Sequence, residues 1–399
     1  MSGDLPKQAR SDKTGSPGTA AGSRTDTAIP ARLMIALAIS ATACLALASL
    51  TYGTNDVLYF QSFVAKAAHD GTGALYRDGA KLIAYHPEAI APMTHPPAIL
   101  APLAGLQYLE NVSRIPFHFW FRLVTTIAHL VSGLFVWRLM SAKAAIYYLL
   151  CPAAIMIAGF HGNTDPLVVA VLLACIYAAE RKCPAWSGVL FAIACSIKVW
   201  PLFLVPAFGL GLETWRARLR FCVSAAAVAA VLTVPYLFGD SEAILSNLLG
   251  YHGAGGMWGL SQLSWYVRVG VPVTFSAIAA LVVYLRVRRA SLSYMIGSSI
   301  ILFLVLTPGF SVQYLAWILP FCFLFGSQVT GAVYATSSVF LAIVYTYWSG
   351  GLPWYFADSL IPHAGSGLVG YSAALCWTTL AISTVSAVWL RRSESNAGH

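Results

Sequence analysis

Charged side chains are scarce in this chain. Asp, Glu, Lys and Arg make up 10% of the 399 residues, hydrophobic residues make up 58%, and the mean hydropathy is +0.71. A soluble domain usually carries about 25% charged residues, so this composition excludes one. Apolar runs of about 17 to 25 residues recur along the chain, and each can cross a bilayer as a helix. The sequence therefore predicts an all-α polytopic membrane protein.

The few basic residues indicate the orientation. They cluster on one side of the predicted helices, and the positive-inside rule makes that side cytoplasmic. The net charge of +9 reflects this orientation and contact with anionic membrane lipids, so it gives no reason to expect nucleic-acid binding. Twelve transmembrane helices are predicted, at residues 32–52, 116–139, 144–160, 166–180, 185–197, 199–212, 219–238, 271–287, 294–307, 312–326, 330–348 and 368–390.

The chain divides into a membrane domain between two cytoplasmic tails. Residues 1–31 are rich in Ser, Thr, Gly and charge, and we expect them to be disordered. The apolar stretch Leu33 to Leu50 begins too late for a signal peptide, so we expect a retained signal anchor. The membrane domain spans 32–390 and the second tail 391–399. Exterior loops are expected at 53–115, 239–270 and 349–367, and loops of this length are usually functional.

Cysteine gives no sign of cross-linking. None of the eight Cys residues lies in a predicted exterior loop, so we expect no disulfides. Their spacing also lacks the pairs typical of a Cys-based metal site.

One carboxylate stands at the exterior mouth of the predicted bundle. Asp56 follows the first span by a few residues, in the sequence Gly-Thr-Asn-Asp of 53–56. Burying a carboxylate at a membrane is costly, and one that is retained is usually functional. We therefore predict that Asp56 is a catalytic base. The structural alternative is that Asp56 is the N-cap of the following helical stretch.

Two further stretches of the first exterior loop have a helical pattern. Apolar residues between Val57 and Ala67 fall on one side at helical spacing, which indicates an interfacial helix. The apolar run 93–103 is too short to span the membrane and contains three prolines. It begins with Thr-His-Pro-Pro at 94–97, and we predict a second interfacial helix.

Five features in a fixed order carry a resemblance to a known family. They are the early exterior carboxylate, the His-Pro-Pro segment, His-Gly-Asn-Thr-Asp-Pro-Leu at 161–167, Ser-Ile-Lys-Val-Trp-Pro at 196–201, and Thr-Pro-Gly-Phe-Ser-Val-Gln-Tyr-Leu-Ala-Trp at 307–317. Over 32–390 the chain resembles the GT-C integral-membrane glycosyltransferases. Within them it looks like the bacterial alpha-mannosyltransferases that use polyprenyl-phosphate mannose in phosphatidylinositol mannoside synthesis.

The resemblance implies transfer of a sugar to a glycolipid or glycan acceptor of the cell envelope. Such a reaction needs a base for the acceptor hydroxyl, a role that suits Asp56. Charge grows on the leaving lipid phosphate and needs stabilisation. Attack opposite the phosphate inverts the anomeric configuration. The candidates for the phosphate contact are Lys198, Arg268, His252 and His95.

A metal and other cofactors are not expected. The sequence has no Asp-x-Asp motif that would hold a nucleotide diphosphate through a divalent ion. This favours a polyprenyl monophosphate over a nucleotide sugar as the donor.

Other polar residues at the exterior edge are candidates for binding substrate. His161, Asn163 and Asp165 lie where two predicted helices meet, although the same residue types form ordinary turns and caps. Lys198 lies in an apolar stretch and, instead of binding phosphate, could snorkel to the interface. The remaining candidates for substrate binding are Trp258 and Gln262 in the Gly-rich stretch 251–262, and Gln313 and Tyr314, with interface anchoring as their structural alternative.

A second class of function is a lipid or sugar transporter or flippase. Transporters place ionisable groups near the bilayer midplane and often show repeated halves. In this sequence the polar candidates crowd one face, and no repeat is apparent. A membrane acyltransferase is a third class, but no His-Asp pair that would activate a nucleophile is evident. The sequence therefore favours the glycosyltransferase.

Overall fold

The computed structural model describes residues 29–82, 86–250, 258–360 and 367–396, without the side chains of 86–88 and 387–396. The described helices are α1 (Ala31–Leu50), α2 (Asn55–Asp78), α3 (Leu100–Ser113), α4 (Phe117–Leu139), α5 (Ala142–Leu149), α6 (Pro152–Met156), α7 (Asp165–Glu180), α8 (Pro184–Ile197), α9 (Val205–Gly211), α10 (Trp215–Gly250), α11 (Ser264–Val287), α12 (Leu292–Leu306), α13 (Leu315–Ile318), α14 (Ser327–Trp348) and α15 (Gly367–Asn396).

Short helical and extended segments connect these helices. A π-helical turn, Ile157–His161, follows α6. The strands are β1 (Gly53–Thr54), β2 (Ala80–Leu82), β3 (His86–Ala91) and β4 (Phe356–Ala357). β1 pairs in parallel with β4, and β2 pairs antiparallel with β3. The 3-10 turns are Pro97–Ile99, Trp200–Leu204, Gly259–Gln262, Val312–Tyr314 and Leu319–Phe325.

The structure confirms an all-α polytopic membrane protein, apart from these short strands. In the part of the chain that the structure describes, six helices are long and apolar enough to cross a bilayer: α1, α4, α10, α11, α14 and the Gly367–Ser386 part of α15. A seventh candidate is the pair Ala142–Leu149 and Pro152–His161, which is bent by 55°. Each of the twelve predicted ranges falls on helical backbone, but several of these segments are shorter than a full span.

Two groups of buried apolar side chains organise the packing. The larger group joins the helices of the bundle, in which α7, α8 and α10 lie side by side and α14 packs on α15. The smaller group contains Val57, Phe60 and Phe63 of α2, with residues of α3, the start of α4 and the end of α10. This smaller group holds the polypeptide that follows α1 against one end of the bundle.

Both helices predicted in the first loop are present. The apolar face of α2 is buried in the smaller group, so at least this face packs on protein instead of on lipid. The second helical stretch begins at Pro97 and continues as α3 to Ser113, ten residues beyond the predicted end. The rest of the loop contains the β2–β3 hairpin.

Part of the second predicted loop is helical. α10 continues through a break at Asp240 to Gly250, and α11 begins at Ser264 instead of residue 271. The extra part of α10 docks on α2, because Arg77 ion-pairs with Asp240. The predicted exterior loop 239–270 thus contains the end of α10 and the beginning of α11, and its exterior position stays a prediction. At the C-terminal end, α15 continues to Asn396, past the predicted boundary.

Candidate active site

Asp56 lies in the first turn of α2, at the end of the bundle. Thr54 is the N-cap of this helix, since its Oγ1 accepts a hydrogen bond from the backbone N–H of Asp56 at 3.3 Å. The same hydroxyl donates to the carbonyl of His161 at 2.6 Å. The structural alternative for Asp56 was wrong, because Thr54 supplies the cap. The carboxylate of Asp56 is left to interact with other side chains.

The π-helical turn places His161 beside Asp56. π-Helical turns often occur at functional sites because they change the direction of one side chain. Gly162 ends this turn with φ +76°, and a Cβ there would lie 2.3 Å from a methyl group of Val57. A glycine is therefore required where the turn passes α2.

The Asp56 carboxylate accepts two hydrogen bonds on one oxygen. His161 Nε2 lies 3.1 Å and Asn163 Nδ2 2.5 Å from Oδ2. Because a carboxylate only accepts, Nε2 of His161 carries the proton, and Nδ1 accepts from the Tyr345 hydroxyl at 3.0 Å. Among the described residues, Oδ1 has no hydrogen-bond partner. This oxygen is available to a substrate.

The same contacts set the protonation of Asp56. Burial raises the pKa of this carboxyl, but the hydrogen bonds from His161 and Asn163 and the charge of Lys198 outweigh it, and the pKa lies below its ordinary value. Asp56 is therefore ionised at neutral pH, as a general base must be.

Lys198 and Asp165 form a buried ion pair next to Asp56. Lys198 Nζ lies 2.8 Å from Asp165 Oδ2 and 3.5 Å from Asn163 Oδ1. The other oxygen of Asp165 accepts from Trp317 Nε1 at 2.5 Å. The Asp165 side chain is fully buried and accepts a hydrogen bond on each oxygen. It therefore holds the Lys198 ammonium group in a fixed position.

A cavity of about 490 Å³ opens over these groups. Asp56, His161, Asn163 and Lys198 line its polar part, together with His95 and Gln313. Aromatic and aliphatic side chains of α2 and β3 line much of the remainder, together with Phe310, Val312 and Trp348. The cavity thus joins a carboxylate, a cation and several uncharged hydrogen-bonding groups under an apolar wall.

A second, apolar cavity of about 230 Å³ adjoins the first. Lys198 and Thr94 line both cavities and therefore mark their junction. Side chains at the open side of the second cavity are exposed, among them Leu249 at 68% and Phe275 at 49%. Phe275 belongs to α11, which is long and apolar enough to span a membrane, whereas Leu249 lies beyond the break at Asp240 in α10.

Two buried ring donors near Lys198 have no described partner. Both ring nitrogens of His95, which lines the first cavity, and Nε1 of Trp200, which lines the second, lack a hydrogen bond. Burial, followed by the charge of Lys198, lowers the pKa of His95 to about 3. His95 is therefore uncharged at neutral pH. Buried polar groups are normally hydrogen-bonded, so these ring nitrogens are candidates for hydrogen bonds to a substrate.

The model of glycosyltransferase family 87 matches residues 93–308, more than half of the chain. The chain belongs to glycosyltransferase family 87. This family is of the GT-C type, so the chain is a membrane glycosyltransferase that uses a sugar donor and an acceptor. No curated protein matches the chain. His95, residues 161–165 and Lys198 lie inside the matched range, whereas Asp56 precedes it.

Three sequence candidates of this family member, Trp258, Gln262 and Arg268, line neither cavity in the part of the chain that the structure describes. Trp258 is fully buried, stacks on Phe310 at 3.8 Å and donates Nε1 to a backbone carbonyl. Its face is thus covered by protein and cannot stack on a sugar in this conformation. Gln262 and Arg268 are exposed and line neither cavity. His252 lies outside the described residues.

The remaining candidates of the family 87 chain do gather at the site. Gln313 lines the first cavity and Tyr314 the second. Lys198 Nζ lies 5.4 Å from the ring centre of Tyr314, close enough for a cation–π contact. Among the described residues, no group of three or more His, Cys, Asp or Glu side chains could hold a metal ion.

Sequence reasoning missed three partners in the site of this glycosyltransferase. The first is Trp317, whose Nε1 donates to Asp165. The second is Tyr345, whose hydroxyl donates to His161. The third is Trp200, whose buried Nε1 has no described partner and lies two residues after Lys198 in the sequence. Trp200 and Trp317 also stack on each other at 4.2 Å. Trp200 and Trp317 stand in the motifs 196–201 and 307–317. Their closeness in sequence to Lys198 and Gln313 could have indicated that they belong to the site. Tyr345 had no local signal, because it lies 184 residues from His161.

The pH dependence of the family 87 enzyme should report the hydrogen bond between His161 and Asp56. If Asp56 is the base, it must be deprotonated, so kcat/KM should fall only at pH values below the ordinary pKa of Asp. His161→Phe removes a contact that lowers the pKa of Asp56, so the acidic limb of the profile should move to higher pH. Tyr345→Phe keeps the Nε2 contact and should move it less. An unmoved limb in His161→Phe would contradict this electrostatic role.

Proposed function

We propose that this family 87 enzyme transfers a sugar from a polyprenyl-phosphate donor to a lipid-linked or glycan acceptor, with inversion and with Asp56 as the base. The resemblance to polyprenyl-phosphate-mannose enzymes supports mannose as the sugar. The product would be a glycolipid or glycan of the cell envelope. Catalysis would occur on the exterior, periplasmic face of the cell membrane.

One observation supports a polyprenyl-phosphate sugar as the donor. A polar cavity and an apolar cavity meet at Lys198 and Thr94. A polyprenyl-phosphate sugar has the same order of parts: a polar sugar, a charged phosphate and an apolar chain. The phosphate would lie at Lys198, the sugar beside Asp56, and the first isoprene units among the side chains of the second cavity. A nucleotide sugar offers no apolar chain for that cavity.

The reaction would proceed in one displacement. Asp56 Oδ1 accepts the proton of the acceptor hydroxyl as its oxygen forms a bond to the anomeric carbon. The bond between that carbon and the phosphate oxygen breaks, and its electron pair leaves with the polyprenyl phosphate. Attack from the face opposite the phosphate inverts the configuration, so a beta-linked donor gives an alpha-linked product.

The leaving phosphate would be stabilised at the junction of the cavities. Lys198 offers a charge-assisted hydrogen bond, which is about twice as strong as a neutral one. His95 and Trp200 would add uncharged donors, since both are buried without a described partner. His95 has a pKa of about 3, so it would donate as neutral imidazole. Arg268 and His252 remain alternative phosphate ligands.

The sugar would contact the polar wall of the first cavity. Gln313 and Asn163 line it and offer the donors and acceptors that sugar hydroxyls need. His161 also lines it, but both of its ring nitrogens are engaged with Asp56 and Tyr345, so it would position the base beside the sugar. Asp165 would act through Lys198 instead of touching the sugar.

The proposed orientation follows from the basic clusters. Both tails would be cytoplasmic, and the end of the bundle with α2 and the two hairpin strands would face outward. Twelve membrane crossings, with the shorter apolar helices counted as spans, remain part of this proposal.

The proposed position of the donor chain can be tested by photocrosslinking. A photoreactive amino acid in place of Phe275, whose side chain lines the second cavity and is 49% exposed, should crosslink to a radiolabelled polyprenyl-phosphate sugar. Excess unlabelled donor should abolish the product. The matched control is Val385, an apolar residue of α15 that is 60% exposed and lines neither cavity. Equal, non-competed labelling at both positions would contradict a specific site.

A further inference from the structure

A fully buried arginine lies beneath the candidate active site. Arg122 of α4 has 0% exposure, and none of the described Asp or Glu side chains forms an ion pair with it. A buried charge is costly unless it is hydrogen-bonded and compensated. The environment of Arg122 must therefore provide compensation by other means, and the proposed reaction does not use this residue directly.

Backbone carbonyls at the end of α1 provide this compensation. Arg122 Nη1 donates to Thr51 Oγ1 at 2.6 Å and to the Leu47 carbonyl at 3.3 Å. Nη2 donates to the carbonyl of Ala48 at 2.8 Å and to that of Thr51. The last carbonyls of a helix lack intrahelical partners and carry the negative end of the helix dipole. A guanidinium satisfies several of them at once.

The guanidinium is also held from its own helix. Nε donates to the His118 carbonyl at 3.0 Å, and Nη2 lies 2.8 Å from His118 Nδ1. All three guanidinium nitrogens are thus engaged with fixed partners. Lys has no planar fork and could not form this set of bonds.

The end of α1, whose carbonyls Arg122 binds, is followed within a few residues by Asp56, the candidate base. Thr51 is five residues before Asp56, and β1 lies between them. A Cβ at Gly53 would lie 3.5 Å from Arg122 Nη1 and 2.7 Å from the Phe160 carbonyl. Arg122 therefore packs against the short segment that carries Asp56 where this segment crosses the π-helical turn.

The same side chain packs against the segment that carries His161. A Cβ at Gly162 would lie 3.8 Å from Arg122 Cδ. The bond from Thr54 Oγ1 to the His161 carbonyl joins the two segments just beyond this point. The end of α1, the start of α2 and the π-helical turn thus share Arg122 as a common contact.

We propose that Arg122 is a positioning residue for sugar transfer: by clamping the end of α1 it sets the distance between Asp56 and His161. This inference rests on the proposed role of Asp56 as the base. A shift of about 1 Å at a reacting group can cost about 100-fold in rate without a contact to substrate. Arg122 itself touches neither cavity.

The first test compares two buried polar residues that join the same two helices. His129 of α4 lies 2.9 Å from Ser40 of α1 and is 1% exposed, but it is seven residues further along α4. In the purified full-length enzyme, Arg122→Lys should lower kcat by about 10- to 100-fold with little change in the KM of the donor, and it should move the acidic limb of the pH profile. His129→Gln should cost thermal stability but leave the pH profile unchanged.

The second test measures the position of His161 without turnover. In the protein with 15N-labelled histidine, Arg122→Lys should change the ring nitrogen signals of His161, which are assigned by their loss in His161→Gln. His129→Gln should leave these signals in place. This readout stays valid if Asp56→Asn proves active, so a failure of the proposed base is distinguishable from a failure of the clamp.

A milder variant serves if Arg122→Lys does not fold. Thr51→Val removes the hydroxyl that accepts from Arg122 Nη1 at 2.6 Å and keeps the arginine. It should change the His161 ring nitrogen signals and move the acidic limb of the pH profile in the same direction as Arg122→Lys does. The inference is overturned if the folded variants keep the His161 signals and the pH profile of the parent protein. It is also overturned if His129→Gln changes both to the same extent.

Discussion

Asp56→Asn is expected to lower sugar transfer by about two to four orders of magnitude, the usual range for loss of a general base. Asn keeps the size of the side chain but cannot take a proton at neutral pH. Since Thr54, and not Asp56, caps α2, the helix should still form. Expression, thermal stability and donor binding should therefore remain close to those of the parent enzyme, and the loss should appear in kcat.

Two variants sharpen this test. Asp78→Asn removes a carboxylate at the other end of α2, where the side chain is 60% exposed and does not line the first cavity. The activity of this variant should stay within about twofold of the parent. Asp56→Glu restores a carboxylate one methylene too far out and should recover a small part of the rate. Turnover of Asp56→Asn within a few fold of the parent would exclude Asp56 as the base.

The second large effect is expected at Lys198. Lys198→Met keeps the apolar stem but removes the charge, so use of the donor should fall about 10- to 150-fold, the equivalent of about 1.5 to 3 kcal/mol for a hydrogen bond to a charged group. The variant also leaves Asp165 fully buried without its cation. Breaking one side of a buried pair usually costs about 3 to 5 kcal/mol of stability. The single variant thus loses both use of the donor and folding stability.

A double variant separates them. In Lys198→Met/Asp165→Asn both charges are gone, and the Asn oxygen can still accept from Trp317 Nε1. Thermal stability should largely return, whereas kcat/KM for the donor should remain low and the KM of the acceptor should change little. Donor kinetics equal to those of the parent would mean that Lys198 only neutralises Asp165. Arg268 or His252 would then be the remaining cationic candidates.

The helices could be predicted because their signal is local. Long apolar runs indicate where helical backbone lies, and each of the twelve predicted ranges falls on helical backbone, although several of them are broken or partly 3-10. The extension of α10 to Gly250 was missed, since its sequence is more polar than a membrane span. It is held by Arg77, which lies 163 residues from Asp240. Contacts of that separation leave no periodic trace in the sequence.

The same distinction applies to the site. Asp56 and Lys198 could be recognised because a charged residue in an apolar stretch is visible in the local sequence. The residue that each of them contacts could not be recognised in this way. Asp56 meets His161 across 105 residues, and Lys198 meets Asp165 across 33. Trp258 shows the opposite error: a Trp in a Gly-rich stretch was a candidate for substrate binding, and Phe310 covers its ring face instead.

We propose that this family 87 enzyme uses a lipid-phosphate sugar and requires Asp56. The most direct measurement gives the purified enzyme the same radiolabelled sugar as polyprenyl phosphate or as nucleotide diphosphate, with a membrane lipid extract as acceptor, and follows labelled product. The account predicts product from the polyprenyl phosphate alone, with an inverted anomeric linkage, and almost none with Asp56→Asn. Product from the nucleotide sugar in lipid-free buffer, or equal product from Asp56→Asn, would contradict it.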